Sequence, residues 1–184
     1  MARTASRMLP LGRPIPPFVL LEPRTGVTVA SPPAGDRTLI MFICNHCPYV
    51  VHIRPRLVEI ANRAVAGGIK VVAINANSVA THPEDGPEAM AALATAEGWQ
   101  FPFLFDETQE VARAFGAACT PDFFLFGAEG LFYRGQFDDA RPSSPLPVSG
   151  ADLSAAIEAL LAGQPAPADQ WPSLGCNIKW HPET

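Results

Sequence analysis

Hydrophobic residues along this chain follow two periods, and each switch between them marks an element. Leu39-Ile40-Met41-Phe42-Ile43 and Ile69–Ile74 are near-continuous apolar runs rich in branched side chains, the pattern of strands covered on both faces. Between them Leu57, Ile60, Ala61, Ala64 and Val65 recur at helical spacing. That stripe predicts a helix starting at residue 44, kinked by Pro55 and ended by Gly67-Gly68. Phe18–Leu21 and Val27–Val29 read as an N-terminal hairpin across Pro23-Arg24-Thr25-Gly26. Asp85 with Glu88, and Asp106 with Gln109, are capping-box pairs that predict a helix over 89–97 and another ending at Gly116. Phe123–Phe126 and Leu131–Phe137 flank Gly127-Ala128-Glu129-Gly130 and form a second hairpin. Ser149 with Asp152 opens a last helix, striped by Leu153, Ala156, Ile157, Leu160 and Leu161.

The order gives a βαβ unit followed by a ββα unit. It predicts an α/β fold with a central mixed sheet, helices on both faces and an N-terminal β-hairpin extension. The 184 residues fit a single domain, 1–184. Within it, 1–17 form an irregular lead-in and 164–184 a proline-rich tail packed on the domain.

Charge narrows the partners. Net charge is −5, and neither Lys nor Arg gathers into a patch, so nucleic acid and anionic membrane are not expected partners. Prolines interrupt the first 17 residues before any apolar stretch can build, and no apolar run reaches the ~18 residues of a membrane span. A cytoplasmic setting is expected, where thiols stay reduced.

Chemistry enters with Cys44-Asn45-His46-Cys47-Pro48, directly after the first apolar run. A Cys-x-x-Cys at a strand-to-helix junction lies at the carboxyl end of a strand, where open α/β sheets place their chemistry. Cys44 is expected at the helix N-cap, exposed and held as a thiolate; Cys47 is expected one turn in and more buried. Cys44 then attacks and Cys47 resolves. An imidazolium at His46 stabilises the Cys44 thiolate and makes the disulfide a stronger oxidant than one flanking Gly-Pro. A zinc- or copper-binding module is the competing reading, with Cys44 and Cys47 joined by His46 or Cys119. Structural zinc wants four ligands, usually as two close pairs, and only one pair is present, so neither metal nor cofactor is expected.

The other two of the four cysteines, Cys119 and Cys176, read either as small buried hydrophobes or as an auxiliary redox pair. His52, His82 and His181 read as surface or solvated residues. Trp99, Trp171 and Trp180 read as packing anchors, Trp180 also as a cover for the site. Asp122 is assigned either to a nearby cation or to a turn cap.

The Cys-x-x-Cys at the first junction, with Thr120-Pro121 before the second hairpin, resembles the thioredoxin fold. Phe42–Val50, Pro83-Glu84-Asp85, Phe105–Gln109, Cys119-Thr120-Pro121-Asp122 and Gly175–Trp180 together resemble a peroxiredoxin-like (AhpC/TSA-related) branch of that family. The resemblance implies thiol-disulfide oxidoreductase activity, with Cys44, Asn45, His46 and Cys47 in the catalytic motif. It also implies a cis peptide bond before Pro121. Thr120 and Pro121 would then wall the site, with the Thr120 backbone free to pair with a substrate peptide. Expected partners are a protein or small-molecule disulfide and a cellular thiol reductant, with the protein a monomer or homodimer.

This chain departs from the relatives in three ways. Peroxiredoxins carry a Thr and a Pro where Met41 and Arg37 stand, so the hydroxyl that activates peroxide is missing and thiol peroxidase is the alternative activity. The buried Asp of thioredoxins is replaced by Thr38 or Met41. Asn45-His46 stands in place of Gly-Pro.

Overall fold

A computed structural model of the chain describes residues 3–182. In chain order the strands are β1 (Arg3–Ala5), β2 (Val19–Glu22), β3 (Val27–Ala30), β4 (Thr38–Phe42), β5 (Lys70–Asn75), β6 (Phe103–Phe105), β7 (Cys119–Thr120), β8 (Asp122–Gly127), β9 (Gly130–Gly135) and β10 (Leu174–Asn177). The α-helices are α1 (Pro48–Ala66), α2 (Pro87–Ala96), α3 (Glu110–Ala114) and α4 (Ala151–Leu161), with a 3₁₀ turn over Pro83–Asp85.

Seven strands form one mixed sheet in the order β3-β2-β6-β5-β4-β8-β9. β4, β5 and β6 run parallel to one another, and β8 pairs antiparallel with β4. Side chains alternate across the central strands and so divide the core in two. Leu39, Met41, Val71, Ala73, Phe123 and Leu125 pack with residues of α1, α2 and α4. Ile40, Phe42, Val72, Ile74, Phe124 and Phe126 pack with Val111 and Ala112 of α3. Phe115, just past α3, meets Phe18, Phe42, Phe124 and Phe126 at ring-centroid distances of 5.4–6.2 Å and anchors that second layer.

The mixed α/β sheet with helices on both faces agrees with the sequence pattern, and so do both hairpins. Four local expectations need correction. The lead-in is not wholly irregular: β1 pairs with β10 of the tail, and β10 with β7, in a small second sheet. A three-residue strand whose partner lies some 170 positions away leaves no periodic trace. β6, also three residues, was missed for the same shortness. Helix α1 starts at Pro48, with Cys47 as its N-cap, and continues through Pro55; proline is favoured in the first helical turn because its missing N–H is unpaired there anyway. Leu161, expected on the core stripe, is 36% exposed. Among the described residues no helix is long and apolar enough to cross a membrane.

Asp122 serves neither of its expected roles. It is fully buried at the start of β8, and burial holds its carboxyl well above the usual range. The amides of Ala118 and Phe123 and the hydroxyl of Ser6 offset part of that cost, although neither carboxylate oxygen has a partner in hydrogen-bond geometry. A raised folded-state pKa means that folding takes up a proton. Stability should therefore fall as pH rises above the ordinary Asp value, by about 1.4 kcal/mol per pH unit until the folded-state pKa is reached. Asp122→Asn removes that slope. Its melting temperature should exceed that of the wild type at pH 8, with the gap closing toward pH 4; a gap that does not vary with pH would contradict this account.

Candidate active site

The site forms where β4 ends, α1 begins and the Thr120–Pro121 bend faces both. The Thr120–Pro121 peptide bond is cis. All four cysteines are free thiols, and Cys44 and Cys47 both lie at this junction. Cys44 Sγ is 3.5 Å from Thr120 Oγ1, and the Cys47 thiol donates to the Thr120 carbonyl at 3.1 Å. The pair and the bend therefore meet as expected.

The expected electrostatics of the pair do not hold. Cys47, not Cys44, is the N-cap of α1: its own backbone is extended, and the two residues between the cysteines form a bend rather than a helical turn. Cys44 is 1% exposed and so is not the open sulfur of the sequence reading. Cys47 is drawn toward the thiolate by the hydrogen bond from Cys44, with further donation from Thr120, Cys176 and the Val50 amide. Cys44 is held as the thiol by giving that hydrogen bond, by burial and by the nearby Asp85 carboxylate.

Asp85 is the residue that sequence reasoning misplaced. Its spacing to Glu88 copies a capping box, but Gly86 caps α2 and the Asp85 side chain turns back to the cysteine loop. One carboxylate oxygen accepts the backbone N–H groups of Asn45 at 2.8 Å and His46 at 3.3 Å. The other takes Asn77 Nδ2 at 2.8 Å and meets His46 Nδ1 at 2.6 Å. The side chain is fully buried. Asp85 thus fixes the loop and the His46 ring together, a role that could be read only once β5 and the 3₁₀ turn were in place. Asn45 closes the cover by donating from Nδ2 to the Glu84 carbonyl at 3.0 Å.

His82, read as solvated, stacks on His46 with ring centroids 4.7 Å apart. His181 is tied down too, by Ser78 Oγ at 2.9 Å and the Glu107 carbonyl at 2.7 Å. Trp180 does not cover the site: the Arg113 guanidinium lies 4.4 Å from its ring, on the α3 face of the sheet. Trp171 is 61% exposed rather than an anchor, whereas Trp99 stacks on Phe101 and meets the Phe103 ring at a tilt.

The auxiliary cysteines separate. β10 pairs antiparallel with β7, placing Cys176 opposite Thr120 and Asn177 opposite Cys119. Facing residues share a side of a sheet and chain neighbours alternate. Cys176 is therefore on the dithiol side and Cys119 on the other, where its Sγ lies 3.6 Å from the Pro121 carbonyl and burial pushes its pKa up. Both thiols are buried, as the small-hydrophobe reading expects, and Cys176 lies beside Cys47. The same register corrects an expectation: one edge of the Thr120 backbone, expected to be free for a substrate, is occupied by β10.

Cys44 Sγ, a His46 ring nitrogen and an Asp85 oxygen lie within 4.8 Å of one another, which is ligand spacing for a metal ion. Both Asp85 oxygens already hold hydrogen bonds, so an ion would have to break the loop's own support.

The fold and this site define a thioredoxin-like protein. The AhpC/TSA family model matches residues 11–134, and the chain belongs to that family. An uncharacterized conserved protein from Geobacillus kaustophilus is 48% identical, with 100% of this chain and 99% of that one covered at a TM-score of 0.96. A hypothetical protein from Sinorhizobium meliloti is 44% identical over 97% and 98% of the two chains, at a TM-score of 0.91. A secreted Mycobacterium tuberculosis disulfide oxidoreductase shares the fold at 18% identity and a TM-score of 0.58, over 78% of this chain and 96% of its own. No curated protein matches the sequence.

Proposed function

We propose that the protein is a thiol-disulfide oxidoreductase that cycles Cys44 and Cys47 between dithiol and disulfide. The observation that carries this reading is the meeting of both sulfurs with Thr120, at 3.5 Å and 3.1 Å. Cys44, the first cysteine of the motif, set beside Thr120 Oγ1, is assigned as the attacking sulfur. Its proton passes to the departing substrate sulfur, while the Cys47 thiol stays on the Thr120 carbonyl until its own turn to attack. The Cys44 thiolate attacks the substrate disulfide and releases one substrate sulfur as a thiol. Cys47 then attacks Cys44 Sγ, releases the second and leaves the Cys44–Cys47 disulfide. Asn45 and His46 hold the loop through Asp85, and Thr120 and Pro121 form the facing wall.

The substrate class is a protein or small-molecule disulfide, and a cellular thiol reductant restores the dithiol. The cytoplasm is the setting this cycle suits. Insulin reduction by dithiothreitol should be accelerated by the wild-type protein and not by a Cys44→Ser, Cys47→Ser double variant. Equal rates with the two proteins would refute the assignment.

Family membership also favours a thiol peroxidase reading. Against it, Met41 is buried on β4 and supplies no hydroxyl where peroxiredoxins carry Thr. Peroxide consumption measured beside the insulin assay separates the two.

A further inference from the structure

We propose that Cys176 is a third redox thiol, which exchanges with the Cys44–Cys47 disulfide to form an internal Cys47–Cys176 disulfide and set Cys44 free. This rests on the dithiol cycle above and extends it to the C-terminal strand.

The geometry is set by β10. Its register places Cys176 across from Thr120, the residue that touches both active-site sulfurs. Cys176, Cys44 and Cys47 belong to one buried cluster, whereas Cys119 belongs to neither half of the core. Gly175 allows β10 to come this close: any side chain there would fall on the Thr120 carbonyl. The strand is also held in place. Asn77 Oδ1 accepts the Lys179 amide at 2.8 Å, Gln109 donates to the Lys179 carbonyl at 2.8 Å, and Gln109 Oε1 accepts the His181 amide at 2.8 Å. The residue that fixes Asp85, Asn77, therefore also fixes the tail.

In the exchange, the Cys176 thiolate attacks Cys47 Sγ. The Cys44–Cys47 bond breaks as the Cys47–Cys176 bond forms, and Cys44 leaves with the electron pair and takes up the proton that Cys176 gave. Nothing is oxidised or reduced overall. In the reduced protein Cys176 is pushed up to about 12, first by burial and then by the hydrogen bond it gives to Cys47. That second cause disappears once Cys47 is in a disulfide, while burial, the larger one, remains. The outcome is an oxidised protein with a free thiol at Cys44, able to open a further disulfide.

The test equilibrates the wild type and three variants, Cys44→Ser, Cys44→Ser with Cys119→Ser, and Cys44→Ser with Cys176→Ser, in glutathione buffers of graded oxidation. Acid quenching and digestion follow, and linked peptides are identified by mass. The wild type should give both Cys44–Cys47 and Cys47–Cys176 peptides. The first two variants should give Cys47–Cys176, and the third only a glutathione adduct. A Cys44→Ser chain with only that adduct, beside a wild type with only Cys44–Cys47, overturns the exchange and leaves the dithiol cycle standing. A wild type with no internal disulfide overturns both. If Cys44→Ser fails to fold, the wild-type peptides decide alone.

Discussion

In a Cys47→Ser chain the substrate should accumulate as a mixed disulfide on Cys44, and turnover should fall by roughly three orders of magnitude, the scale on which losing one member of a concerted catalytic set is felt. Serine keeps the shape of the site, because its hydroxyl can still donate to the Thr120 carbonyl that now takes the Cys47 thiol. It lacks the sulfur that would release the substrate. Cys176 faces Cys47 rather than Cys44, so it should not rescue release. The matched Cys44→Ser chain should lose turnover to the same degree and trap no protein substrate, since it lacks the attacking sulfur. Mass spectrometry of trapped adducts reads both. The opposite pattern, an adduct on Cys47 and none on Cys44, would mean that the sulfur favoured as thiolate is also the attacker, and would exchange the two roles.

How far the sequence revealed this site depends on how far apart its parts lie. The dithiol is local: two cysteines after five apolar residues could only fall at a strand end. The sheet was legible for a similar reason, since β4, β5 and β8 are buried along nearly their whole length and such runs admit few other readings. The start of α1 is harder to read: Pro48 carries its signal, but the Cys-x-x-Cys spacing fits a helical turn equally well. Asp85 was misread because a capping box and a loop anchor share one local pattern. Only the partner, Asn45 some 40 positions earlier, distinguishes them. The place of Cys176 opposite Thr120 was not legible either. A one-residue difference in register moves a side chain to the other face of a sheet, and no composition or spacing rule sets the register of a four-residue strand.

Asp85→Asn should make the dithiol a stronger oxidant while weakening the fold. The carboxylate lies close enough to Cys44 to oppose a thiolate there, so its negative charge favours the disulfide. Removing that charge stabilises the reduced form and should raise the potential by about 20–60 mV, equivalent to roughly 1–3 kcal/mol for a two-electron couple. His46→Ala should move it the other way, because losing the ring's 2.6 Å contact leaves the Asp85 carboxylate freer to oppose a thiolate on Cys44. The fold loses in the first case for a different reason. An Asn amide can keep the Asn45 and His46 backbone bonds through its oxygen, but its NH₂ must then face Asn77 Nδ2, a donor against a donor, beside the His46 ring. A buried donor left unpaired costs about 1–3 kcal/mol, which denaturant unfolding would register. Glutathione titration of wild type, Asp85→Asn and His46→Ala separates charge from scaffolding. Opposite shifts identify the Asp85 carboxylate, tempered by its His46 partner, as the group that acts on Cys44. Shifts in the same direction would mean that both residues act only by holding the loop in place.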